Sequence, residues 1–112
     1  MLTEADVRRI ALSMPEAVEA PHFEATSFRV NKKIFCTLGE AAERIVLKFD
    51  PEDQGNLIAD APDTVTAVPG AWGRKGWTHA TFAKLSEARL QTLMRLAWAT
   101  VAPKRLLKTL SE

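Results

Sequence analysis

Residues 22–39, HFEATSFRVNKKIFCTLG, place the tightest limit on what this chain can fold into. Two runs rich in β-branched and aromatic residues flank Asn31-Lys32, with only those two residues between them. So short a link joins antiparallel strands, because a parallel crossover needs about a dozen residues or more. Asn tolerates the positive φ that such a turn demands; Lys in the second place is a weaker choice than Gly. In this register Phe28 stands opposite Phe35, an aromatic pair across the ribbon. Gly39 is expected to end the second strand.

The rest of the chain fits around that hairpin. Arg44 to Phe49 alternates as a third strand, with Ile45, Leu47 and Phe49 on one face. Thr64–Val68 and Gly76–Phe82 read as two further short strands, separated by the Pro69-Gly70 turn signal. Thr3 is a good N-cap for a helix over Glu4–Ser13, with Asp6 as a weak capping-box partner, and Pro15 stops it. Asp50-Pro51 opens a short helix to Ala59, its first turn carrying Glu52 and Asp53 and its middle weakened by Gly55. Asp60–Asp63 is a loop. Ser86 caps the longest helix, whose apolar stripe is Leu90, Leu93, Met94, Ala97, Trp98 and Val101, with Arg89, Thr92 and Arg95 facing away. Pro103 interrupts, and Lys104–Leu110 is a last short helical stretch. Short links between neighbouring strands predict an α+β fold: a mostly antiparallel sheet of about five strands with helices packed on one face.

The 112 residues suit one domain, 1–112, large enough to bury a core without staples. Cys36 is the one cysteine, which excludes an internal disulfide and fits a reducing compartment, so a cytoplasmic location is expected. The N-terminal MLTEADVRRI lacks the apolar stretch of a signal peptide. LMRLAWATVA is broken by Arg95 and too short to span a bilayer, so no membrane role is expected. Net charge is +1, but its distribution is uneven. Met1–Ala71 holds 7 basic and 12 acidic residues; Trp72–Glu112 holds 8 basic and 2 acidic. That asymmetry suits an anionic partner near the C-terminal part, or a basic surface helix.

Most catalytic chemistries find no constellation here. Cys36, His22 and His79 share no zinc-ligand spacing, and no metal or other cofactor is expected. Cys36 reads as a small core hydrophobe rather than a nucleophile. The carboxylate pairs Glu52/Asp53 and Glu40/Glu43 fall on a helix start and a turn, where capping and solvation account for them. GAWGRKG lacks the phosphate-loop pattern. An enzyme is therefore not expected. His22 reads as a residue at a strand start, bonded through one ring nitrogen to a backbone carbonyl, and His79 as an outward strand residue.

The stretch AVPGAWGRKGWTHATF, Ala67–Phe82, stands apart. Gly70, Gly73 and Gly76 permit unusual backbone, Arg74 and Lys75 form a cationic tip, and Trp72 and Trp77 flank it. Strand position makes Trp77 a core residue; Trp72 is either a core plug or a surface stacking platform. Basic residues beside aromatics suit a nucleic-acid backbone and its bases. Arg29, Lys32 and Lys33 form a second basic tip on the hairpin.

PHFEATSFRVNKKIFCTL, VPGAWGRKGWTHATF and AWATVAPKRL together resemble the MmcQ/YjbR family of small bacterial proteins, over nearly the whole chain. The resemblance implies a CyaY-like fold, likened to the double-wing motif of a phage transcription factor, and a DNA-binding role. It points to His22, Phe23, Ser27, Phe28 and Arg29, to Lys33 and Phe35, and to Trp72, Gly73, Gly76, Trp77 and Thr78; it supplies no catalytic residue.

The expected function is non-enzymatic DNA binding through phosphate contacts from Arg29, Lys32, Lys33, Arg74 and Lys75, with Trp72 and Trp77 as aromatic elements. The alternative is a small-ligand or anion module with a pocket lined by His22, Arg29, Trp72 and Arg74. A third reading is a protein-interaction adaptor using Lys104–Lys108. A monomer or weak dimer is expected, and no protein partner is identifiable. The DNA reading requires that the two cationic turns converge on one footprint.

Overall fold

The helix of the first residues forms as its cap signals direct. In a computed structural model, which describes residues 1–110 except the side chains of residues 40, 109 and 110, α1 spans Glu4–Leu12. Thr3 accepts from the Asp6 N–H, and Asp6 Oδ2 accepts from the Thr3 N–H at 2.8 Å, a complete capping box. The Glu40/Glu43 pairing lies partly outside the described residues.

The following elements are β1 (Val18–His22), β2 (Ala25–Val30), β3 (Lys33–Ala41), β4 (Arg44–Lys48), α2 (Pro51–Asp60), β5 (Val65–Ala67), α3 (Ala71–Arg74), β6 (Trp77–Thr81), a 3-10 turn (Phe82–Lys84), α4 (Glu87–Val101) and α5 (Lys104–Leu110). Among the described residues the strands form one antiparallel sheet, ordered β1-β2-β3-β4-β6-β5. The α+β architecture is as the sequence implies, with six strands rather than about five. The extra strand is β1, VEAPH: it lies at the sheet edge, where Pro21 is tolerated and apolar alternation is not required.

The Asn31-Lys32 turn forms with both residues at positive φ, 51° and 68°, closing Val30 onto Lys33. The register beyond it corrects the expected pairing. A bulge makes Phe28 face Cys36, with Arg29 opposite Ile34, so Phe35 is the inserted residue. Phe28, Phe35 and Cys36 are all fully buried as a result. Gly39 does not end β3; at φ +100° it lies in a second irregularity, between Leu38 and Ala41.

Alternation then divides the sheet into two faces. Phe28, Cys36, Leu47 and Thr78 lie in one cross-strand row, and Thr26, Leu38, Ile45 and Ala80 in another. The β3 and β4 residues of these rows lie against α4, and Thr78 of β6 meets Gln54 of α2. Val7, Ile10 and Ala11 of α1 and Leu90, Leu93, Met94, Ala97 and Trp98 of α4 complete the core, all at 1% exposure or less. Each buried aliphatic side chain contributes about 1.5–3 kcal/mol from burial. Val101, at the end of the expected stripe, is only half-buried. The Trp98 indole N–H donates to the Pro15 carbonyl at 3.0 Å, pinning the turn after α1 to α4.

The residues between those rows point the other way. Ala20, Ser27, Thr37, Val46, His79 and Thr66 form one continuous row across all six strands. Arg29, Ile34, Lys48 and Trp77 belong to the same face by alternation.

Candidate nucleic-acid interface

Two glycines shape the tryptophan loop through close backbone approach. A Cβ on Gly73 would lie 1.8 Å from the Val68 carbonyl oxygen, and one on Gly76 would lie 1.8 Å from that of Phe49. Gly76 also has φ +107°. Gly73 lies inside the one-turn α3 and Gly76 follows its end, where the sequence suggests only a turn tip. Gln54 of α2 fastens it from beneath. Its buried amide donates toward the Gly73 carbonyl at 2.9 Å, the Trp77 carbonyl at 3.1 Å and Thr78 Oγ1 at 3.1 Å. Thr78 Oγ1 in turn donates to the Gly76 carbonyl at 2.9 Å.

That scaffold puts the indoles on the open face of the sheet. Trp72 is 61% exposed, so it is a surface residue. Trp77 is half-buried beneath it and faces away from the helices, which corrects its assignment to the core. The rings meet edge to face, centroids 6.2 Å apart. Lys75 Nζ sits 5.4 Å from the Trp72 centroid, a cation over the ring.

Strand pairing brings the two basic turns to one end of the sheet. The Asn31-Lys32 turn closes β2 onto β3 at the end where β4 finishes at Lys48, and Lys48 pairs with Trp77, the first residue of β6. Arg74 and Lys75 stand three and two positions before that residue, with Gly76 between. The axes of β3 and β6 have only β4 between them, about 10 Å in all. Lys32, Lys33, Arg74 and Lys75 are exposed. Lys48 lies between the turns and donates to the Lys75 carbonyl at 2.7 Å and the Phe49 carbonyl at 3.3 Å. Glu24 and Glu43 occupy the turns at the opposite end. Asp50, Glu52 and Asp53 share the basic end but belong to the start of α2, which Gln54 ties to the helix side of the sheet.

Across the open face runs a groove of about 540 Å³, lined by His22, Phe23, Ile34, Thr37, Val46, Val68, Trp72, Trp77 and His79. Phe23 and Trp72 stand at its diagonal corners. Phe23 is in the β1–β2 turn at φ +57°, 95% exposed and edge-on to His22 at 4.8 Å. An exposed phenylalanine in left-handed backbone is uncommon. Thr37 forms the floor at 5% exposure, and its hydroxyl has no hydrogen-bond partner among the described residues. Leaving such a group unsatisfied costs about 1–3 kcal/mol.

A family model for YjbR matches residues 12–100, from the end of α1 almost to the end of α4. The chain belongs to the YjbR family. The fold of this YjbR domain is similar to the crystal structure of Deinococcus radiodurans protein DR2400, which carries a DUF419 domain. The two share 22% identity with a TM-score of 0.77, over 99% of this chain and 89% of that one. No curated protein matches the chain.

The remaining predicted residues of the YjbR domain fall as follows. Arg29 lies on the open face, but its Nε donates to Ser27 Oγ at 2.8 Å and its Nη2 to the Pro21 carbonyl at 3.2 Å. His22 ends β1 rather than starting a strand, and its ring meets Phe23. His79 points outward as expected, yet half-buried on the groove floor. His22 and Trp72 therefore line one groove, while Arg29 and Arg74 are not in its lining. Arg105 of the basic C-terminal segment is engaged by Glu16, with both carboxylate oxygens accepting at 2.7 and 2.9 Å. Cys36 is fully buried, and burial pushes its thiol ionisation far up, away from nucleophilic use. Among the described residues no group of three or more His, Cys, Asp or Glu could hold a metal ion, and no helix is long and apolar enough to cross a membrane.

Sequence reasoning missed three contributors. Lys48 was legible as an outward position of β4. Gln54 was legible as a polar residue three and four positions before Leu57 and Ile58 on an inward helix stripe. Thr37 carried no signal until the Phe35 bulge fixed which face it takes.

Proposed function

We propose that this YjbR domain is a non-enzymatic DNA-binding protein that grips the phosphate backbone with the basic end of its sheet. The observation supporting this is the convergence of Lys32-Lys33 and Arg74-Lys75, some forty residues apart in sequence, on either side of Lys48. Phosphate contacts position a protein on nucleic acid without reading its sequence. α1 and α4 pack on the sheet, and specific base readout is not part of the reading. Exposed Trp72 adds a stacking or wedge surface at the same end. The buried state of Cys36, the chain's strongest intrinsic nucleophile, favours a role without covalent chemistry. A cytoplasmic monomer or weak dimer completes the reading, on the single cysteine and the soluble composition.

Fluorescence anisotropy with labelled duplex and single-stranded DNA at low and moderate salt tests it. The expected result is binding at low salt that weakens steeply with added salt and is clearly weaker in Arg74→Ala/Lys75→Ala. Absence of binding at low salt, or an unaffected double variant, would refute the proposal.

A further inference from the structure

We infer that the open-face groove receives a single unpaired nucleobase, with Thr37 Oγ1 as its hydrogen-bonding partner. This rests on the DNA-binding reading and adds what that reading does not contain: a base site, and a requirement for an unpaired base. The groove starts at Trp72, beside the cationic turns that would hold the backbone, and passes over Trp77 to the centre of the sheet. A base leaving a strand held by Lys32 and Arg74 thus has an aromatic path leading inward. Trp72 and Trp77 supply π surfaces that accept any base.

Thr37 decides the chemistry of the occupant. Its side chain is buried on the groove floor, and no described group satisfies its hydroxyl. Its neighbour in the same row, Ser27, is by contrast fully engaged, donating to the Ala20 carbonyl at 2.9 Å and accepting from Arg29. The Thr37 hydroxyl is already buried and unpaired, and an aliphatic occupant would leave it so. A flat heteroaromatic ring satisfies it, because its edge carries donors and acceptors while its faces meet indole. The volume, about 540 Å³, is within the range of small-molecule sites. A base in a duplex is stacked and paired and cannot enter, so the site selects single-stranded or locally opened DNA.

The test compares a labelled thymidine oligonucleotide about twelve nucleotides long with an abasic strand of equal length and charge. The base-bearing strand is expected to bind about tenfold tighter and to quench tryptophan emission. Thr37→Val should remove most of that preference while leaving abasic-strand affinity and melting temperature at or above wild type. Trp72→Ala, an exposed change, should remove it as well. Equal affinity for the two strands, or a preference untouched by Thr37→Val, overturns the base site and leaves phosphate binding standing. Binding of neither strand defeats the DNA reading itself. Thymidine 5′-monophosphate distinguishes the sources of the base. If it binds as tightly as the oligonucleotide with the same Thr37 dependence, the base site stands and its occupant is a free nucleotide.

Discussion

Lys48 faces Trp77 across the last pair of the β4–β6 ladder, and its ammonium reaches on to the Lys75 carbonyl at 2.7 Å. One side chain of β4 therefore holds the backbone of the tryptophan loop in place beside the hairpin turn. Lys48→Met keeps the stem and removes the charged donor. It is expected to cost about 1–2 kcal/mol in urea unfolding and to weaken DNA binding severalfold. Unchanged stability and binding would show that the tether is idle.

Gly76 and Gly55 give opposite expectations for the same substitution. Gly76→Ala forces a Cβ onto the Phe49 carbonyl at positive φ and should destabilise by more than about 2 kcal/mol. At Gly55 a Cβ meets nothing within 4 Å, and the position is inside α2. Gly55→Ala should stabilise by about 0.5–1 kcal/mol. Chemical denaturation midpoints of the two variants check both signs.

The tandem WGRKGW was legible as unusual but not as a shape. Glycines at three-residue spacing permitted several turns; what selects α3 is the approach of Val68 and Phe49, the residues just after β5 and β4. The capped helices α1, α2 and α4 were legible because their caps are local, at Thr3, Asp50 and Ser86. The hairpin turn was legible for the same reason. Its register was not, because the bulge that displaces Phe35 depends on packing Phe28, Phe35 and Cys36 together under α4. That shift also sets which side chains, Thr37 among them, reach the open face. Trp77 was misplaced because alternation says which residues share a face, not which face the helices cover.

The three tryptophans should differ sharply in solvent access. Trp98 is fully buried, Trp77 half-buried and Trp72 61% exposed. Acrylamide quenching of Trp72→Phe should lose most of the readily quenched emission and leave a blue-shifted remainder. A quenching profile like that of the wild type would place Trp72 inside.

The Glu16–Arg105 pair predicts a small acid-limb effect. Hydrogen bonds from Arg105 hold the Glu16 carboxyl below the ordinary glutamate range. A depressed folded-state value means the ionised pair stabilises the fold above that ordinary range, and the contribution is lost as pH falls through the depressed value. Glu16→Gln should therefore flatten the loss of stability on acidification below about pH 4.5 and change little under still more acidic conditions. Both groups are solvent-exposed, so the effect should also shrink with salt. Urea unfolding of both proteins across this range, at low and high salt, checks the sign.

The salt dependence of DNA affinity tests most directly whether the two turns act as one phosphate-binding surface. It is measured for the wild type, Lys32→Ala/Lys33→Ala, Arg74→Ala/Lys75→Ala and the quadruple variant on the same DNA. Each pair should lower the slope of log affinity against log salt by about two, and the quadruple variant by about four. A slope that responds to one pair and ignores the other would contradict a shared footprint.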